Sequence, residues 1–103
     1  MLTSKQRAYL RSISNDIDTI LMVGKAGIGP ELIKQAVDAL KAREIIKGKV
    51  LETAGENAKE IANEIANETS SEVVFVVGSK FVLYKKNKKD MKIILPKAKK
   101  VDE

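Results

Sequence analysis

Two hydrophobic periods alternate along this chain of 103 residues. Leu2, Tyr9, Leu10, Ile13 and Ile17 recur at helical spacing. Thr3 followed by Gln6 reads as a capping box, so the pattern predicts a first helix over residues 3–15. Asn15, Asp16 and Asp18 are turn formers that stop it. Thr19 to Val23 then reads as a first strand. Pro30 suits a first helical position, where its missing N–H costs little. Leu32, Ile33, Ala36, Val37 and Leu40 line one face of a second helix over about 30–43.

From Ile45 to Leu51 the period drops to two. Ile46, Gly48 and Val50 point one way, Lys47 and Lys49 the other. This second strand is expected in a sheet covered by helices on one face and wet on the other. A turn at Thr53–Gly55 precedes a third helix over about 56–69, whose core face (Ala58, Ile61, Ala62, Ile65, Ala66) is mostly small and should pack closely. Val73 to Val77 is a continuous apolar run and reads as a central strand covered on both faces. Gly78-Ser79-Lys80 turns the chain into a further strand, Phe81 to Lys85, and these two make a hairpin. A charged loop follows over 86–90, and Met91 to Leu95 adds a short edge segment ended by Pro96.

The element order α-β-α-β-α-β-β predicts an α/β two-layer sandwich on a mixed four-stranded sheet. Helix-linked strands run parallel, the last two antiparallel, and right-handed crossovers place the second and third helices on one face. Residues 1–96 form a single domain and 97–103 a short charged tail.

Charge changes this picture more than composition does. The net charge is +5, but Lys80–Lys100 holds nine lysines against Asp90 alone, while residues 1–79 are nearly balanced. A basic segment of that kind suggests a polyanionic partner, although a solvated tail has the same composition. Glutamates fall at 52, 56, 60, 64, 68 and 72, and within the third helix this spacing builds an acidic ridge, a solubilising surface that is also the wrong one for a nucleic acid. The chain has no cysteine and no histidine. It therefore lacks disulfides, thiolate metal sites and the commonest general base near neutral pH. Ser70-Ser71 has no histidine partner, and the carboxylates lie mainly on one ridge, so no enzyme and no cofactor are expected. No apolar run reaches membrane-spanning length, and a cytoplasmic monomer is the expectation.

The stretch with its own chemistry is Gly24-Lys25-Ala26-Gly27, between the first strand and the second helix. Glycine reaches φ > 0 and lets another backbone approach. The N–H groups of a helix start favour an anion, and Lys25 adds a mobile cation. On the motif alone, a connector that uses glycine only for sterics is the plainer reading. Neither a P-loop nor a dinucleotide-binding spacing is present. Three basic elements can nevertheless converge: Lys25, the Lys47/Lys49 strand face and the C-terminal lysines. Aromatics are too few for a base-stacking platform, and no helix presents base-reading Arg or Asn. Recognition is expected through phosphates and shape, on RNA more than DNA.

The chain also resembles the YhbY-type CRM (chloroplast RNA splicing and ribosome maturation) domain family. The resemblance rests on Leu2-Thr3 through Leu10-Arg11, Val23-Gly24-Lys25-Ala26-Gly27 and Arg43-Glu44-Ile45-Ile46-Lys47-Gly48-Lys49. It continues in Val77-Gly78-Ser79-Lys80-Phe81-Val82-Leu83-Tyr84-Lys85 and Ile94-Leu95-Pro96, in the family's order and spacing. It implies a fold similar to the C-terminal domain of a bacterial translation initiation factor, with a Gly-x-x-Gly loop at the RNA surface. Single-domain bacterial members are implicated in large-subunit assembly, multi-domain plant relatives in group II intron splicing. Arg43 stands where many members have histidine and keeps the positive charge. Gly48 stands where a β-branched residue is usual, which implies a looser buried face on the second strand.

Together these readings predict an RNA-binding protein for ribosomal RNA or precursor large subunits, with candidate contacts Gly24, Lys25, Ala26, Gly27, Lys47, Lys49, Lys80, Lys85 and Lys86. The rival reading is an adaptor that docks on a ribosomal or assembly protein and uses its lysines only for solubility. A nuclease would show itself by metal-dependent cleavage.

Overall fold

Thr3 opens the first helix as its side chain dictates. Its Oγ1 accepts the Gln6 N–H at 3.1 Å, and Gln6 Oε1 accepts the Thr3 N–H at 3.1 Å. This reciprocal capping box starts α1 (Ser4–Ser14). The elements that follow are β1 (Thr19–Val23), α2 (Pro30–Arg43), β2 (Ile45–Val50), α3 (Ala58–Thr69), β3 (Glu72–Val77) and β4 (Lys80–Tyr84). The structure, a computed structural model, describes residues 2–25, 27–52 and 57–86. The readings placed on Ala26, the 53–55 turn, Glu56, the Met91–Leu95 segment with Pro96, the C-terminal lysines beyond 86 and the tail lie outside the described residues.

The sheet order is β1-β2-β4-β3. β1 pairs parallel with β2, and β4 pairs antiparallel with both β2 and β3. The fold is therefore the expected α/β arrangement on a mixed four-stranded sheet. β3 is not central, however. The hairpin folds β4 back between β2 and β3 and leaves β3 at the edge. Its apolar run has another cause: cover on both faces. Val73 and Val76 pack towards α2 and α3, while Val74 and Phe75 pack towards α1. A register shift between Val73 and Phe75 puts two consecutive side chains on the α1 face. The Arg7 guanidinium of α1 donates to the carbonyls of Val73 and Val74 there, which satisfies backbone groups that an edge strand leaves open.

Two apolar clusters follow from the strands' period of two. Leu21, Val23, Ile46, Val50, Phe81 and Leu83 face the small buried stripe of α3 (Ala58, Ile61, Ala62, Ile65, Ala66) and Ala36 and Leu40 of α2. Ile45, Val74, Val82 and Tyr84 face Leu10 of α1 on the opposite side. That second face is thus not wet along its whole length, because α1 lies over part of it. Tyr9 is 42% exposed and does not join this core, although its spacing suggested it would. Leu10 is the apolar side chain that α1 buries completely, and such a side chain contributes about 1.5–3 kcal/mol.

Gly48 does not loosen β2. It lies directly opposite Phe81, and a Cβ placed there would stand 2.2 Å from Phe81 Cζ. The Phe81 ring fills the space a β-branched side chain would take, so glycine and phenylalanine are one packing unit. No described helix is long and apolar enough to cross a membrane.

Candidate nucleic-acid interface

The sheet has one end where β1 runs into Gly24, β2 into Leu51 and β3 into the two-residue loop Gly78-Ser79, from which β4 starts. At this end the Gly27 N–H donates to the Gly24 carbonyl at 2.8 Å and closes a four-residue turn. Gly27 takes φ 68°, and a Cβ built on it would meet nothing within 4 Å. The backbone conformation, not packing, requires this glycine, and the space outside it is open. Lys25 is exposed on the turn. α2 then begins at Pro30, with Gly29 as an N-cap that offers no side-chain bond. The groove between the start of α2 and α3 carries Lys34 but also Glu64 and Glu68. The two carboxylates would repel a phosphate on that side.

The last row of the sheet before the turn runs Met22, Lys49, Lys80, Val77, one residue from each strand, each matched to the next in register. Residues so matched point to one face. Their neighbours Val23, Val50, Phe81 and Val76 belong to the α2/α3 core, so this row points the other way. α1 covers only the far part of that face. Lys49 is half-buried and Lys80 exposed, while Met22 and Val77 are 54% and 56% exposed. Three strand spacings make the row roughly 14 Å long.

The remaining candidates lie elsewhere. Lys47 points to the same face two residues earlier, and its ammonium donates to the Ser14 carbonyl at 3.2 Å, at the end of α1. The Lys85 ammonium donates to the Thr69 carbonyl at 3.0 Å, at the end of α3. Both close helix C-termini, where carbonyls and dipole favour a cation. Lys86 is exposed beside Lys85, and the length of β4 separates this pair from Lys80 by roughly 17 Å. The structure therefore brings together Gly24, Lys25, Gly27, Lys49 and Lys80, and sets Lys47, Lys85 and Lys86 apart. Ala26 lies outside the described residues. Met22 and Val77 escaped the sequence reading because both lie in apolar runs that looked buried. The pointer that could have found them is the glycine closing each run, Gly24 two residues after Met22 and Gly78 directly after Val77.

Electrostatics divides the molecule. Glu60, Glu64 and Glu68 are exposed on α3, which covers the α2/α3 face, while Lys49 and Lys80 lie on the other. Among the described residues no group of acidic or metal-ligating side chains could hold a metal ion. Among the described residues, Tyr84 is the titratable group with a displaced pKa. Burial pushes its phenol up, and Glu44 and Glu72 add to this. Its hydroxyl is buried with no hydrogen-bond partner among the described residues. At 3% exposure it has no surface to offer a substrate.

Comparison with known proteins shows the family. The model of the CRS1 / YhbY (CRM) domain matches residues 2–85. The probable RNA-binding protein YqeI of Bacillus subtilis is 40% identical over 96 residues, covering 93% of this chain and all of that protein. An RNA-binding protein of Haemophilus influenzae is 30% identical over 96 residues, covering 93% of this chain and 96% of its own. The solution structure of the hypothetical protein SAV1595 from Staphylococcus aureus, proposed to bind RNA, superposes with a TM-score of 0.74. It shares 42% identity and covers 93% of this chain and all of its own. The glycine turn, the Phe81-over-Gly48 pairing and the β3–β4 hairpin all fall inside the matched residues, and the chain belongs to the CRS1 / YhbY (CRM) domain family.

Proposed function

We propose that this chain is a non-enzymatic RNA-binding protein that acts on ribosomal RNA or on precursor large ribosomal subunits during ribosome assembly, as a cytoplasmic monomer. The observation that carries the reading is the convergence of Lys25, Lys49 and Lys80 at the turn end of the sheet, beside a glycine turn with open space outside it. Mobile cations on a bare backbone turn suit phosphates, and phosphate contacts position a protein without demanding sequence. The RNA-binding names of the relatives support the partner class. The assembly role rests on the family resemblance. The acidic ridge of α3 stays outside the interface, since its field repels phosphate.

The test is crosslinking within precursor ribosomal particles, from photoreactive residues placed at positions 25, 80 and 64. Crosslinks to ribosomal RNA from 25 and 80, with none from 64, are expected. Crosslinks from 25 and 80 to protein alone would make the chain an adaptor instead.

A further inference from the structure

Lys49 and Lys80 face each other directly across the β2–β4 ladder. Like charges in that position destabilise a sheet. The Val50 N–H donates to the Ser79 carbonyl on the next rung, at 2.7 Å. In an antiparallel ladder this makes Lys49–Lys80 the non-bonded kind of pair, whose side chains lie closer together. The row offers them no relief, because its other members are Met22 and Val77. The ladder carboxylate on that face, Glu72, lies opposite Tyr84 at the far end of β4. Two lysines are thus paired across the ladder without an acid in their row. Their flanks are two side chains more than half exposed, on a face where the apolar groups of β4, Val82 and Tyr84, are buried.

From this arrangement we infer that the row Met22–Lys49–Lys80–Val77 is a contact strip for single-stranded RNA, with a backbone phosphate between the two ammoniums and unpaired bases against Met22 and Val77. The inference rests on the RNA-binding reading and adds the substrate class. A single strand presents one charge per nucleotide along its axis and an apolar base face beside it, and this matches cations in the middle with apolar groups on both sides. In a duplex the base faces are stacked inside, so Met22 and Val77 would meet only sugars and phosphates. An acidic peptide satisfies the ammoniums equally well, but Lys25 at the same end extends the cations beyond the pair, which favours a repeating polyanion.

The experiment titrates an oligouridine of about twelve nucleotides and an RNA duplex of similar length. It compares the parent chain, Met22→Thr/Val77→Thr and Lys49→Gln/Lys80→Gln. Threonine keeps the strand preference at two exposed positions. The parent should prefer the single strand. Met22→Thr/Val77→Thr should weaken single-strand binding by roughly five- to tenfold and leave its salt slope and the duplex affinity unchanged. Lys49→Gln/Lys80→Gln should make the log–log salt slope on the single strand shallower by about 0.7, because one phosphate lies between the pair. In the parent, the Met22 methyl resonance should shift with oligouridine and stay in place with inorganic polyphosphate, a reading that needs no variant. Unchanged affinity of the Met22/Val77 variant, equal parent affinity for both RNAs, or a still methyl resonance would overturn the strip and leave phosphate-based RNA binding intact. If the parent bound polyglutamate but neither RNA, the strip and the proposed function would fall together.

Discussion

Five lysines that the sequence presents alike, on strands or just beyond them, have two different fates. Where α1 and α3 end, Lys47 and Lys85 donate to helix carbonyls, and their charge is matched by groups of the same chain. At the turn end Lys49 and Lys80 face each other, and Lys25 stands on an exposed turn nearby. Lysine count does not separate these groups; what lies within reach of each ammonium does. A cation already placed on a helix end is a structural device, while a cation set against another cation calls for a ligand.

The most damaging way to break this contrast is to disrupt the strand that carries both kinds of lysine. Gly48→Val places a side chain into the Phe81 ring and should cost about 3 kcal/mol or more in denaturant unfolding. The double variant with Phe81→Leu should recover part of the loss, because the two sites share one space. Full stability of Gly48→Val would mean that the ring is free to move aside. Next in size is Lys47→Met, which removes the cation from the end of α1. Stability should drop by about 1 kcal/mol, and the salt dependence of RNA binding should stay as in the parent. A shallower salt slope for this variant would put Lys47 back among the phosphate contacts.

Tyr84 probes the covered end by pH. Its folded-state pKa is raised above the ordinary value, so the stability it contributes is complete below the unfolded-state pKa near 10.0. That contribution is lost as pH rises through the folded-state value. Tyr84→Phe should therefore unfold less readily than the parent in alkali, and near neutrality it should match the parent or gain up to about 1 kcal/mol. Equal alkaline sensitivity of the two chains would show that Tyr84 is not the group responsible.

Lys49→Gln/Lys80→Gln should raise stability by a few tenths of a kcal/mol in low salt, as the facing charges disappear, while RNA binding weakens. A loss of stability instead would mean that the pair is matched within the protein. The smallest expected effect on folding belongs to Lys25→Ala, which should leave thermal unfolding unchanged and make the RNA salt slope shallower by about 0.7. An unchanged slope would reduce the glycine turn to a connector.

The elements were legible because local rules agree with one another along this chain. Thr3 with Gln6, Pro30 at the start of α2 and the lysine alternation in β2 each determine a boundary or a face from a few neighbouring residues. The strand order was not legible. An apolar run such as Val73–Val77 records that both faces are covered, and says nothing of whether a strand or solvent lies at its edge. Gly48 misled for a similar reason, since its partner Phe81 is distant along the chain and adjacent only across the ladder.

The sequence by itself determined the α-β-α-β-α-β-β order, the glycine turn with its lysine and the acidic ridge, because helical and strand periods, turn residues and charge spacing act over a few residues. Only the tertiary structure decided which lysines meet. Whether a lysine finds a helix carbonyl, as Lys47 does at Ser14, or faces a second lysine across the ladder, as Lys49 faces Lys80, depends on register and on where α1 lies. Those are set by packing between residues far apart in the chain, on which the local pattern is silent.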